Sequence, residues 1–216
     1  MSVRVKICGL CDERALAAAC EAGADAVGFV LAPSPRRVSL ARAAELMTRV
    51  PVGIERVLVF ARATRAELED ALALAPDALQ AELDSDWPEL SARVFALPVL
   101  RDGADLAARA ERLPRAGAPA AHGLRGAFVL DGPLGGGRGL LADESRARAL
   151  AARRALVLAG GLDPDNVAAR IRSVRPFAVD TSSGVESARG VKDPERVRAF
   201  VRAVRALAEE PLESPS

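Results

Sequence analysis

Cys8 closes a short apolar run, Val5-Lys6-Ile7-Cys8-Gly9-Leu10. A thiol at the end of a buried strand can act as base, nucleophile, metal ligand or redox group, and strand ends are where α/β enzymes keep their chemistry. Cys8 also opens Cys8-Gly9-Leu10-Cys11, a C-x-x-C spacing that fits a dithiol pair or half of a metal site. Zinc would need two more ligands, and the soft candidates left are Cys20 and His122, so no metal centre is expected. A cysteine can also be a small buried hydrophobe, which is the reading for Cys20 on the first helix.

Other strand ends carry complementary groups. Asp131 follows the apolar run Ala127-Phe128-Val129-Leu130, where burial would raise a carboxyl pKa toward use as a general acid; a turn or cap residue is the alternative. Arg36 and Arg37 sit beside Pro33 and Pro35, which stiffen the loop and could ready one guanidinium for an anion, although a solvated pair is the commoner case. Gly160-Gly161 lets a ligand approach the backbone, and Ser182-Ser183-Gly184, just after Asp180, offers amides and hydroxyls to phosphate oxygens. Either loop alone could be a tight turn; together they point to phosphate.

These groups converge only if the strands that end in them lie side by side. The chain alternates β-branched runs with amphipathic Ala/Leu/Arg segments, the sign of βα units on a parallel sheet. The spacing predicts strands at Val3 to Ile7, Ala26 to Val30, Arg56 to Phe60, Ala78 to Gln80, Pro98 to Leu100, Ala127 to Leu130, Ala155 to Ala159 and Phe177 to Asp180, each followed by a helical segment. Thr64-Arg65-Ala66-Glu67 reads as a capping box, Ser39 as an N-cap, and Asp163-Pro164 and Asp193-Pro194 as N-cap acids before a first-turn proline. Eight such units in roughly 210 residues fit an α/β fold, a single (β/α)8 TIM barrel over residues 1–208, with the segment Glu209 to Ser216 a disordered tail. An open doubly wound sheet is the rival, but no G-x-G-x-x-G follows the first strand.

Composition limits the function classes. The 30 basic residues are interspersed with 29 acidic ones for a net charge of +1, which gives no footprint for nucleic acid. The start lacks a signal-peptide pattern and no apolar run reaches membrane-spanning length, so a cytoplasmic protein with no membrane partner is expected. Three cysteines fit free thiols better than a disulfide framework.

The chain resembles the phosphoribosylanthranilate isomerase family. The similarity rests on Val5-Lys6-Ile7-Cys8-Gly9-Leu10, Gly23-Ala24-Asp25-Ala26-Val27-Gly28-Phe29-Val30, Ser34-Pro35-Arg36, Leu158-Ala159-Gly160-Gly161-Leu162, Asp165-Asn166-Val167 and Arg175-Pro176-Phe177-Ala178-Val179-Asp180-Thr181-Ser182-Ser183-Gly184-Val185-Glu186. It runs in order from Lys6 to Phe200, closely at both ends and poorly in the middle. The resemblance implies a cofactor-free Amadori rearrangement in tryptophan biosynthesis on a small phosphorylated substrate, by a monomer or homodimer. By that resemblance Cys8 matches the general base, Asp131 the general acid, and Arg36 the holder of the anthranilate carboxylate. Asp180 matches a pocket-lining aspartate, and Gly160, Gly161, Ser182, Ser183 and Gly184 match the phosphate cradle.

Acid and base on opposite sides of a sugar ring suit a proton-transfer isomerisation, and a thiolate serves if neighbours lower its pKa from about 8.5. The chain also departs from the family. Leu79-Gln80-Ala81-Glu82 stands where Gln-Leu-His-Gly is usual, and His122 is no replacement. Leu140-Leu141-Ala142-Asp143 follows the glycine loop Gly135-Gly136-Gly137-Arg138-Gly139 in place of an aromatic-Asp-Trp pattern, and Cys11 replaces a threonine. An active isomerase leads; a repurposed phosphate-ligand-binding barrel and a C-x-x-C oxidoreductase are the alternatives.

Overall fold

A computed structural model describes residues 2–85, 87, 90, 94–113, 123–134 and 140–209. Eight parallel strands close into a barrel in sequence order: β1 Arg4–Cys8, β2 Ala26–Val30, β3 Glu55–Val59, β4 Ala78–Glu82, β5 Phe95–Arg101, β6 Phe128–Asp131, β7 Leu156–Leu158 and β8 Ala178–Thr181. Closure comes from β1 pairing with β8, Lys6 opposite Asp180. An open sheet is thereby excluded.

Side-chain alternation along each strand divides the core in two. Val5 and Ile7 pack outward under the helices, whereas Cys8, Ala26, Val57, Val59, Ala78, Leu97, Val129, Val157 and Ala178 form a separate cluster that fills the barrel. Small residues such as Ala26, Ala78 and Ala178 leave interior room for longer side chains, among them the fully buried Lys6. At the opposite mouth, Leu124 joins the interior cluster and its N–H donates to Glu55 Oε2 at 2.8 Å.

Seven α-helices lie among the described residues: α1 Glu13–Glu21, α2 Leu40–Met47, α3 Arg65–Leu72, α4 Leu106–Glu111, α5 Glu144–Ala151, α6 Val167–Val174 and α7 Pro194–Glu209. Of the eight expected, the one after β4 is not seen among the described residues of that connection. Thr64 and Glu67 form the reciprocal capping box, Ser39 accepts from Arg42 N, and Asp193 accepts from Glu195 N with Pro194 in the first turn. Val197, Phe200, Val201 and Val204 recur at helical spacing on α7 and are buried; this stripe packs the last helix against α1.

The structure corrects several boundaries. Strand β5 runs from Phe95 through Pro98 to Arg101, longer at both ends than the expected Pro98 to Leu100. Asp163 caps a turn rather than a helix: its Oδ1 accepts from Asp165 N and Asn166 N, and α6 begins only at Val167. A hairpin absent from the sequence prediction, β9 Glu186–Ala188 with β10 Val191–Lys192, follows a 3-10 turn at Ser183–Val185. Residues 210–216, most of the expected tail, lie outside the described residues, as do His122 and Gly135-Gly136-Gly137-Arg138-Gly139.

Candidate active site

The carboxyl ends of the strands enclose one cavity lined by Cys8, Arg36, Asp131, Gly160, Gly161, Asp180, Ser182 and Ser183. Eight of the nine site residues expected from sequence therefore meet. Gly184 stands behind the wall: a Cβ there would lie 1.9 Å from the Leu162 carbonyl, so its lack of a side chain lets the 3-10 turn dock against the loop after β7.

Cys8 and Lys6 share the inward parity of β1. Their Sγ and Nζ lie 3.0 and 3.3 Å from the position a Cβ on Gly28 would take, so glycine on β2 makes room for both. Lys6 Nζ donates to Asp180 Oδ2 at 2.9 Å. Burial opposes a charge on Lys6, but Asp180 and then Cys8 outweigh it and hold the ammonium's pKa above its ordinary value. For Cys8 the balance runs the other way. Burial pushes the thiol up and dominates the pull of Lys6 and Lys192 in the opposite direction, with Asp180 adding to the rise. The expectation that neighbours lower this pKa is thus met in direction by the two lysines and overridden by desolvation.

Asp131 is the last residue of β6 and is half-buried. Its Oδ1 accepts from the Gly132 N–H at 2.8 Å, so it serves the turn while bordering the cavity. Gly160 adopts φ +80°, and a Cβ there would stand 2.6 Å from Gly132 N and 2.9 Å from Asp131 Oδ1. A side chain at 160 would displace the carboxylate. Gly161 also has positive φ, and Asn166 Nδ2 donates to its carbonyl at 2.9 Å, fixing the glycine pair.

The structure separates the two arginines. Arg37 is exposed; Arg36 is 4% exposed and donates through Nε and Nη2 to the two carboxylate oxygens of Glu186, at 2.6 and 2.9 Å. Burial would raise the Glu186 pKa, but Arg36 and Lys192 outweigh it and hold it at about 2. Among the described residues no hydrogen bond reaches Arg36 Nη1. Sequence reasoning assigned roles to neither Glu186 nor Lys192, and the hairpin that brings them in had no periodic signal. Two buried acceptors on the cavity wall, Asp180 Oδ1 and Gln80 Oε1, have no partner among the described residues.

At the end of β4, where the resemblance led to the expectation of a histidine and none is present, Glu82 pairs with Arg101; both border the cavity. Arg101 Nη1 also donates to the Leu134 carbonyl at 3.0 Å, tying the loop after β6 to β5. The C-x-x-C spacing does not build a dithiol: Cys8 belongs to the barrel interior, while Cys11 packs against the outer core and its thiol donates to the Arg36 carbonyl at 3.3 Å. Among the described residues no group of three or more His, Cys, Asp or Glu could hold a metal, and no helix is long and apolar enough to cross a membrane.

The family model for N-(5'phosphoribosyl)anthranilate (PRA) isomerase matches residues 5–203. The N-(5'-phosphoribosyl)anthranilate isomerase of Paracoccus denitrificans is 43% identical, over 93% of this chain and 96% of its own. That of Chromohalobacter salexigens is 44% identical over 93% of each. The crystal structure of phosphoribosyl anthranilate isomerase from Thermotoga maritima superposes with a TM-score of 0.79 at 32% identity, covering 94% of this chain and 99% of that one. A phosphoribosyl anthranilate isomerase holding reduced 1-(o-carboxyphenylamino)-1-deoxyribulose 5-phosphate superposes with a TM-score of 0.77 at 30% identity, with the same coverage.

Proposed function

The chain belongs to the N-(5′-phosphoribosyl)anthranilate isomerase family, and from that premise we propose that Cys8 is the general base and Asp131 the general acid of its reaction. The protein is an aldose-ketose isomerase of tryptophan biosynthesis, converting N-(5-phosphoribosyl)anthranilate into 1-(2-carboxyphenylamino)-1-deoxyribulose 5-phosphate. The observation that carries the assignment of roles is convergence. Cys8 from β1, Arg36 from the loop after β2, Asp131 from β6 and Asp180 from β8 border one cavity, with the glycine pair and Ser182-Ser183 on the same wall.

In this reading Asp131 gives its proton to the ring oxygen as the bond from that oxygen to C1 breaks, and the anilino nitrogen lone pair forms the C1–N double bond. Cys8 as thiolate takes the C2 proton; the released pair forms the C1–C2 double bond and returns the nitrogen pair. The enolamine then ketonises, C1 gaining a proton as the C2 hydroxyl loses one. Charge balance works toward a thiolate, against the burial that pushes the thiol up: among the described residues that act on Cys8 and Arg36, the cations Lys6, Arg36 and Lys192 meet the carboxylates of Asp180 and Glu186, and a third anion would neutralise that group.

Arg36 Nη1 would take the anthranilate carboxylate, and the amides of Gly160-Gly161 and Ser182-Ser183-Gly184 the phosphate, fixing the substrate at both ends. The two unpartnered acceptors, Asp180 Oδ1 and Gln80 Oε1, match sugar hydroxyls, since a buried acceptor left unsatisfied is costly. We place the protein in the cytoplasm, as a monomer or homodimer. Steady-state consumption of phosphoribosylanthranilate, followed by loss of its fluorescence, tests the reading. Turnover abolished by Cys8→Ala is expected; full turnover in that variant overturns the assignment of the base.

A further inference from the structure

Lys192 is the second residue of a two-residue strand, yet its side chain is 1% exposed. Its ammonium donates to Glu186 Oε1 at 2.8 Å, to the Ser182 carbonyl at 2.9 Å and to Ser182 Oγ at 3.2 Å. Those contacts use its three N–H groups, so substrate is not among its partners. Its position is specified from several sides. Gly190, at φ +85° in the hairpin turn, would place a Cβ 2.7 Å from the Pro35 carbonyl, so glycine lets the hairpin press on the loop that carries Arg36. The Gly190 N–H donates to Glu186 Oε2 at 3.1 Å. On the far side, a Cβ on Gly9 would stand 3.1 Å from Ser182 Oγ and 2.7 Å from Arg36 Cδ, so Ser182, which Lys192 holds, lies directly over the residue after Cys8.

We propose that Lys192, held by Glu186, is a positioning residue that stabilises the Cys8 thiolate and at the same time fixes Ser182 in the phosphate loop. The proposal rests on the assignment of Cys8 as base. Burying an ammonium is costly unless it is paired and hydrogen-bonded; Glu186 and Ser182 meet that need, and Ser182 lies over Gly9, the residue after Cys8. The groups that face Cys8 are Lys6 on β1, Asp180 on β8, Arg36 after β2 and Lys192 on β10; those that face Lys192 are Glu186, Arg36, Cys8 and the thiol of Cys11. Lys6 donates to Asp180 and also pulls the Cys8 thiol down, more strongly than Lys192 does, so Lys192 adds to Lys6 and does not act alone. Arg36 is paired with Glu186. Lys192 shares that same carboxylate, so the three-membered Arg36–Glu186–Lys192 group carries one surplus positive charge. Burial lowers the Lys192 pKa and Glu186 works against that loss, while Ser182, over Gly9, carries the network to the residue after Cys8. A single network thereby joins the base, the phosphate loop and the carboxylate anchor.

The test reads the thiol itself. In a Cys11→Ala background, the iodoacetamide alkylation rate of Cys8 is followed against pH by peptide mass spectrometry, which requires no turnover. Lys192→Gln should move the midpoint upward and lower the thiolate fraction at neutral pH by about tenfold. Lys192→Arg should restore most of the difference. Glu186→Gln, which removes the opposing charge, should move the midpoint downward. A purely structural role for the network would move Lys192→Gln and Glu186→Gln in the same direction. Opposite shifts support the proposal even if the wild-type protein proves inactive on phosphoribosylanthranilate. Unmoved or parallel midpoints in an active enzyme overturn it and leave the family reaction standing. If Lys192→Gln does not fold, Glu186→Gln decides: a downward midpoint supports the proposal, and an unmoved or upward one overturns it.

Discussion

Lys6 Nζ donates to Asp180 Oδ2 at 2.9 Å, joining residues 174 positions apart on the two strands that close the barrel, and leaves Asp180 Oδ1 buried without a described partner. One contact therefore does two things. It neutralises a cation that the barrel interior could not otherwise hold, and it presents an acceptor to the cavity. Asp180→Ala leaves the buried Lys6 ammonium without its carboxylate, Cys8 being its remaining neighbour, which costs about 3–5 kcal/mol of stability. Urea unfolding of the variant checks this, and a loss under about 1 kcal/mol would mean that Lys6 is satisfied elsewhere.

Asp131→Asn keeps the shape of the side chain and removes its proton. A general acid acts in the transition state, so turnover should fall by about 10²- to 10⁴-fold while affinity for a product analogue changes little. Parallel losses in both would make Asp131 a binding residue.

Arg36→Ala should weaken binding instead, by about 2 kcal/mol or roughly thirtyfold in apparent affinity. The exposed Arg37 should tolerate alanine with no change, because Arg36 is the one turned into the cavity. Titration with a reduced aminoketose phosphate checks both variants.

Gly160→Ala tests the contact behind the acid. The methyl group would press on Gly132 N and Asp131 Oδ1 in a backbone conformation with φ +80°, so both stability and turnover should fall, the former by about 1 kcal/mol or more. A thermal melt and a single rate measurement suffice; an unchanged rate would show that the Asp131 carboxylate is not held by this loop.

Glu55, at the opposite mouth, predicts a pH-dependent stability term unrelated to catalysis. Burial lifts its pKa to about 6, with partial relief from the Leu124 N–H. A carboxyl raised in the folded state favours its protonated form there, so its contribution is fully present below the ordinary carboxylate range and is lost as pH rises through about 6. Glu55→Gln removes that loss. The melting temperature of the variant relative to wild type should climb between pH 4.5 and 7; a difference that stays flat would refute the shift.

Much of the barrel was legible in the chain because parallel strands and amphipathic helices carry their signal locally. Short β-branched runs, capping residues such as Ser39 and Thr64, and glycines at strand ends all announce themselves within a few positions. The same locality gave Cys8, Asp131 and Asp180, each the polar end of an apolar run. The resemblance to a known family supplied their roles. Strand β5 extends beyond the expected Pro98 to Leu100, because its pairing with β4 from Phe95 onward is set by barrel closure and not by the local run.

What the sequence could not decide was which charges meet. By residue type Arg36 and Arg37 are equivalent; the resemblance through Ser34-Pro35-Arg36 singles out the first, and the fold supplies its partner by burying it against Glu186. Lys6 looks like a solvated residue in an apolar run until the strand's parity turns it inward to Asp180. Lys192 and Glu186 sit on a hairpin too short for any periodic pattern, and the spacing Cys8-Gly9-Leu10-Cys11 suggests a pair that the backbone sends to two different cores. The reason is physical. Secondary structure follows from neighbours along the chain, whereas the energy of a buried charge depends on partners that only barrel closure brings within hydrogen-bonding distance.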